Sequence, residues 1–117
     1  MPQRDPRAFL WDVAEAIGAI ESFTAGLNVQ SYADSALVNA AVERKFEVIG
    51  EALNQLSKTA PTLAARIPQL SKIVAFRNQL IHGYAAIETE VVWNIVQKSL
   101  PSLSIVVASL LAELDSN

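Results

Sequence analysis

The stretch Ala41-Val42-Glu43-Arg44-Lys45-Phe46-Glu47-Val48-Ile49-Gly50-Glu51-Ala52-Leu53-Asn54-Gln55-Leu56 decides the fold class. Together with Val38 just upstream, Val42, Phe46, Ile49, Leu53 and Leu56 recur at steps of three and four, which closes one apolar stripe on a helix. The predicted helix starts near Asp34, whose carboxylate can cap free backbone N–H groups, and ends near Lys58. Gly50 sits in mid-helix, where glycine costs up to about 1 kcal/mol against alanine. A close approach by a second helix would account for it. Glu43, Glu47 and Glu51 make a separate acidic stripe at four-residue steps.

The same periodicity continues on either side. Phe9, Val13, Ile17, Ile20 and Phe23 predict a helix over 7–25, with Asp5 and Pro6 as its cap and first turn and Gly26 as its stop. A loop is expected from Leu27 to Tyr32. Downstream, Thr59 to Pro68 reads as a connector with a short helical turn inside it. A third helix is expected over Gln69–His82, carrying Leu70, Ile73, Val74, Phe76, Leu80 and Ile81, with Gly83 as its stop. After a link at Ala85–Ile87, a fourth helix begins near Glu88 or Thr89. Pro101 lacks an N–H and clashes with the preceding turn, so it must start a new helix or kink this one. Leu103, Val106, Val107, Leu110, Leu111 and Leu114 form the final amphipathic stretch. No hairpin dipeptide or sustained alternation signals a strand. The expected fold is all-α: an up-and-down bundle of four to five antiparallel helices in a single domain spanning residues 1–117.

With 117 residues, 51% of them hydrophobic and 18% charged, the chain can build a substantial core. It has no cysteine, which removes disulfides and thiolate metal sites. The charged N-terminus does not read as a signal peptide, and the uncharged run Ser99–Ala112 is shorter than the roughly 20 residues of a spanning helix. The expected location is therefore cytoplasmic. Nine basic residues face twelve acidic ones, a net charge of −3. Proteins that grip long duplex nucleic acid are usually basic. Action on RNA would thus involve few phosphates and a local positive spot.

Chemistry concentrates in Arg77-Asn78-Gln79-Leu80-Ile81-His82-Gly83-Tyr84, which holds the chain's single histidine. On an unbroken helix Arg77 and His82 point about 140° apart, while Asn78 and His82 share a face. Two copies of so divergent a pair, related by a two-fold axis, could line one cleft. The residue types suit metal-free phosphodiester cleavage. Histidine moves protons near neutral pH, and arginine offers a charged fork to phosphate oxygens. RNA brings its own 2′-hydroxyl nucleophile. A helix-end histidine is also commonly a capping residue, and a helical arginine an ordinary ion pair. One histidine among scattered carboxylates is a poor metal set, so no metal and no cofactor is expected. Glu47 or Glu51 could pair with Arg77 and hold it in place. Trp11 and Trp93 read as core or interface anchors, Lys72 as a solvated lysine, and Tyr32 as a loop residue without an assigned role.

The order Arg77-Asn78-x-x-x-His82-Gly83-Tyr84 resembles the Arg-x(4–6)-His-x-Tyr signature of the HepT-like ribonuclease toxins in the HEPN superfamily. Ile49-Gly50-Glu51-Ala52, Val92-Trp93-Asn94-Ile95-Val96 and Leu100-Pro101-Ser102-Leu103 resemble that family's flanking elements. In place of the aromatic residue common before the motif stands Leu70-Ser71-Lys72-Ile73, a packing difference. The resemblance implies a homodimeric, metal-independent endoribonuclease toxin of a type VII-like toxin–antitoxin system. Arg77 and Asn78 would stabilise the phosphate and His82 would transfer protons. A nucleotidyltransferase antitoxin would silence the site by adding AMP to Tyr84. The alternative reading is a non-catalytic accessory or nucleotide-binding subunit of a minimal nucleotidyltransferase.

Overall fold

Asp5 and Pro6 open the first helix as the sequence predicts: the Asp5 carboxylate accepts from the Arg7 N–H, and Pro6 fills the first turn, where its missing N–H costs nothing. The computed structural model describes residues 4–82 and 87–116. It contains α1 (Pro6–Thr24), α2 (Val29–Ala33), α3 (Ala36–Thr59), α4 (Pro61–Ala64), α5 (Leu70–His82), α6 (Thr89–Asn94), a π-helical turn at Ile95–Ser99 and α7 (Leu100–Asp115). There is no strand among the described residues. The protein is an all-α helical bundle, the fold class the sequence predicts.

The long helix α3 lies at the centre, packed on α1 on one side and α5 on the other, while α7 packs on α1. Val42, Phe46, Ile49, Leu53 and Leu56 of α3 are fully buried, as are Leu10, Val13 and Ile20 of α1. Each such side chain contributes about 1.5–3 kcal/mol on burial, so this seam dominates the stability. Two apolar residues assigned to the core by periodicity lie nearer the surface: Phe23 is 38% exposed and Ile81 46%. Each sits at the C-terminal end of its helix, where the neighbouring helix no longer covers it. Trp11 is 57% exposed and is no core anchor. Trp93 packs with its ring centroid 5.4 Å from that of Tyr32.

Two boundaries differ from the sequence reading. The expected loop at Leu27–Tyr32 contains α2, opened by a reciprocal capping box in which Asn28 and Ser31 exchange side-chain and backbone hydrogen bonds. Its purpose is burial of Tyr32, which is fully enclosed. The cap of α3 is Ser35, whose hydroxyl accepts from the Val38 N–H; Asp34 instead ends α2. Gly26 adopts the left-handed conformation expected of a stop, with φ of 77°.

Pro101 stands in the first turn of α7, where its missing N–H is tolerated, so a new helical segment does start there as the sequence reading required. The Leu100 N–H reaches back five residues to the Ile95 carbonyl, widening one turn just before the proline. Helical backbone continues from Thr89 to Asp115, 27 residues, and an 18-residue window within it has a mean hydropathy of 1.6, long and apolar enough by composition to cross a membrane. In the bundle 39% of that window is buried, the inner side resting on α1 through such residues as Leu103, Val107 and Leu110. The uncharged run had read as too short because the charges at Glu88, Glu90 and Lys98 divide the sequence without dividing the helix.

Candidate active site

Where α3 and α5 cross, two contacts fix the approach. The rings of Phe46 and Phe76 meet edge to face at 5.1 Å between centroids, an arrangement favoured by the ring quadrupoles. One turn further along α3, Gly50 lies directly against the side-chain stem of the next residue, Arg77. A Cβ built on Gly50 would come within 2.5 Å of Arg77 Cγ and 3.1 Å of Cδ. Glycine is thus required by close approach, which is the expectation the sequence raised. What approaches is an arginine, whose aliphatic stem fills the seam while its head emerges at the surface.

The head is held. Arg77 Nη2 donates to Glu51 Oε2 at 2.7 Å, and Nη1 donates to Asn78 Oδ1 at 3.0 Å. Gln55 Nε2 donates to the other Glu51 oxygen at 3.0 Å, so the carboxylate is itself oriented. The Arg77 side chain keeps 21% of its surface exposed, against 49% for Glu51. The Nε atom is buried with no hydrogen-bond partner among the described residues. Glu51, one residue after Gly50, is therefore the predicted acidic partner. Glu47 is not: it sits one turn back and pairs with Arg44 at 3.7 Å.

Arg77 opens on a groove of about 740 Å³ between α1, α3 and α5. Its walls carry Arg4, Arg44 and Arg77 together with Asp12, Glu47 and Glu51. The expected local positive spot is instead balanced in charge. Arg4 donates to Asp12 at 3.0 Å and lies over the Phe9 ring, 4.8 Å from its centroid. Arg4 and Gln55 had no place in the sequence reading. Gln55 follows Glu51 by four residues, a spacing that could have flagged it. Arg4, eight residues from Asp12 and outside the helix, left no such signal.

His82 is the last residue of α5 and is exposed. Helix α5 is unbroken from Leu70, so His82 departs from Arg77 by the full 140° or so that helical geometry gives. Asn78 is exposed on the same helix. The structure thus joins Arg77, Asn78 and Glu51 by hydrogen bonds, while Arg77 and His82 diverge within one chain. Gly83, Tyr84 and the link at 85–86 lie outside the described residues, so the predicted helix stop and modification site carry no structural description.

Among groups whose ionisation is displaced, Glu43 is pushed above its ordinary range, chiefly by burial and further by Glu47. Tyr32 is pushed up to about 12 by burial, with Glu43 adding to it. Both lie on the acidic side of α3 toward α2, apart from the groove.

This combination, a helical bundle presenting a clamped arginine and a helix-end histidine in one short segment, agrees with comparison to known proteins. The family described as Ribonuclease HepT-like matches residues 13–110, and the chain belongs to that HepT-like ribonuclease family. A relative named "Putative RNase MJ1216" in Methanocaldococcus jannaschii is 31% identical over 103 residues, covering 88% of this chain and 84% of the relative. One named "Probable ribonuclease HepT" in Thermococcus cleftensis is 33% identical over 101 residues, covering 86% and 91%. No solved structure gives a significant match.

Proposed function

We propose that this chain is a metal-independent endoribonuclease, acting as the toxin of a toxin–antitoxin pair in the cytoplasm. The observation that carries the reading is the clamp on Arg77: a guanidinium held by Glu51 and Asn78 and exposed at a groove. Such a fork, fixed before substrate arrives, stabilises charge developing on a phosphate without reorganisation during the reaction. His82 serves in proton transfer. The 2′-oxygen of the substrate attacks phosphorus and gives up its proton, the bond from phosphorus to the 5′-oxygen breaks, and that oxygen leaves as a hydroxyl after receiving a proton. The products are a 2′,3′-cyclic phosphate and a 5′-hydroxyl end.

Because Arg77 and His82 diverge on one helix, the complete site takes Arg77 and His82 from both copies of a homodimer. A nucleotidyltransferase partner silences it by placing AMP on Tyr84. A bulky anion there would compete with RNA for the arginine.

The test uses purified protein and single-stranded RNA, with and without EDTA, reading product ends by mass spectrometry. Cyclic phosphate formed in EDTA, and lost in His82→Ala and Arg77→Ala, is the expected result. Full cleavage by His82→Ala, or abolition by EDTA, overturns the mechanism. Growth arrest on expression, relieved by co-expressing the nucleotidyltransferase, tests the pairing.

A further inference from the structure

The groove that receives Arg77 extends well beyond it. Arg44, Glu47, Glu51, Gln55 and Thr59 all line it, and they stand at successive turns on one face of α3. The fifteen helical steps from Arg44 to Thr59 make a track about 22 Å long at 1.5 Å per step. Its side walls come from Arg4 and Asp12 near the start of α1 and from Arg77 on α5. The reacting phosphate of a polymer has phosphates on either side, and these need a route away from Arg77. We propose that single-stranded RNA lies along this α3 track, with Arg44 and Arg4 taking phosphates that flank the one held at Arg77. The inference rests on the ribonuclease reading and specifies how its substrate is bound.

The two arginines differ in readiness. Arg44 has a side chain 72% exposed and touches Glu47 at 3.7 Å, a loose surface pair that a phosphate can displace. Arg4 is held by Asp12 and by the Phe9 ring, which fixes its direction while leaving further N–H donors to offer. The matching carboxylates limit the total. With three arginines against three acids, the groove can neutralise few phosphates, which disfavours a stiff, densely charged duplex and favours a short single strand. At the far end the Gln55 amide nitrogen is taken by Glu51 and the Thr59 hydroxyl donates to the Gln55 backbone carbonyl, which leaves their side-chain oxygens as neutral acceptors suited to base edges.

The probe is a labelled single-stranded oligoribonucleotide carrying 2′-O-methyl groups throughout, which removes the attacking hydroxyl. Its affinity for the full chain is measured by fluorescence anisotropy across a salt series. Single strands lose about 0.7 in the log–log slope per phosphate neutralised, so three arginines give a slope of about −2. Arg44→Gln and Arg4→Gln should each reduce the steepness by about 0.7 and raise KM for cleavage several-fold with a smaller effect on kcat. Glu47→Gln should do the reverse and tighten binding, because its carboxylate no longer competes with phosphate. A merely structural pair would not strengthen RNA binding when broken. Unchanged slopes in both arginine variants, no binding by the unsubstituted protein, or equal affinity for a duplex of the same length would each overturn the proposal. Cleavage that depends on His82 alongside unchanged slopes removes the track and leaves the ribonuclease reading. Reduced slopes alongside cleavage that persists in His82→Ala support the track and remove the catalytic assignment.

Discussion

Replacing Gly50 by alanine separates stability from activity in a way the geometry fixes in advance. The new methyl carbon would stand 2.5 Å from Arg77 Cγ and 3.1 Å from Cδ. Carbon atoms in good contact sit about 3.5–4.0 Å apart, so something must yield by about an ångström. The atoms in the way are the root of the arginine side chain, not its flexible tip. Either α5 lifts from α3 or the stem swings aside, and both carry the guanidinium away from Glu51. Overpacking of this kind costs about 1–3 kcal/mol, and the better helix propensity of alanine returns about 1 kcal/mol. The net loss of stability is then about 0–2 kcal/mol, too little to unfold the domain. If Arg77 binds the reacting phosphate as proposed, misplacing it by about 1 Å costs on the order of 100-fold in rate. Gly18 supplies the control. It lies exposed within α1, and a Cβ there would meet nothing within 4 Å. Gly18→Ala should gain up to about 1 kcal/mol, with Tm raised by about 4 °C and cleavage unchanged. Thermal unfolding followed by circular dichroism and a cleavage assay on a single-stranded RNA read both quantities on both variants. A Gly50→Ala protein as stable and as active as Gly18→Ala would refute the argument that this seam positions Arg77.

Three further outcomes follow from the same geometry. Glu51→Gln keeps the shape of the clamp and removes its charge; kcat for RNA cleavage should fall by about tenfold or more while Tm hardly moves, because Glu51 is half exposed. Tyr32→Phe removes a buried hydroxyl that has no hydrogen-bond partner among the described residues, and should raise stability by about 1 kcal/mol in denaturant titration. A loss of stability would show that the hydroxyl is satisfied after all. Glu43 is raised in the folded state by burial and by Glu47, so the folded protein holds its proton more tightly than the unfolded chain and loses stability as pH climbs through that raised range. Glu43→Gln should therefore raise Tm at pH 7 and give no gain near pH 3, a difference that a Tm series across pH resolves.

The parts of the fold that apolar spacing reports were legible from the residues. The α3 stripe from Val42 to Leu56 is buried as predicted, and the Asp5–Pro6 start and Gly26 stop of α1 are where local chemistry puts them. Misreadings came where short-range polar bonds or long-range cover decide. Helix α2 rests on an Asn28–Ser31 exchange that carries no apolar period, and Tyr32 is drawn inward by the ring of Trp93 and a hydrogen bond from Asn39 to its carbonyl. The start of α7 at Pro101 was legible, but the widened turn that joins it to the helix before is a register shift with no signature in residue spacing. Trp11 shows the converse: its size suggests an anchor, yet its position places it on the outer face of α1.

The candidate site was legible to the same degree, for a related reason. The residue types and the family resemblance marked Arg77 as a candidate, and the glycine at 50 signalled that some helix came close. Neither signal named the other residue, since a charged side chain in a helix seam breaks the apolar period that would mark its face as buried. Only the packed structure shows that the glycine exists for the arginine's stem and that the next residue, Glu51, receives its head. Adjacent positions on one helix thus divide the work: Gly50 sets how near α5 can come, and Glu51 sets where the guanidinium stops. This also explains why the Glu47 alternative fails. It stands a full turn from the glycine, so the stem that fits beneath Gly50 delivers its charge to Glu51 and leaves Glu47 to Arg44. Moving the glycine along α3 would be expected to move the partner with it.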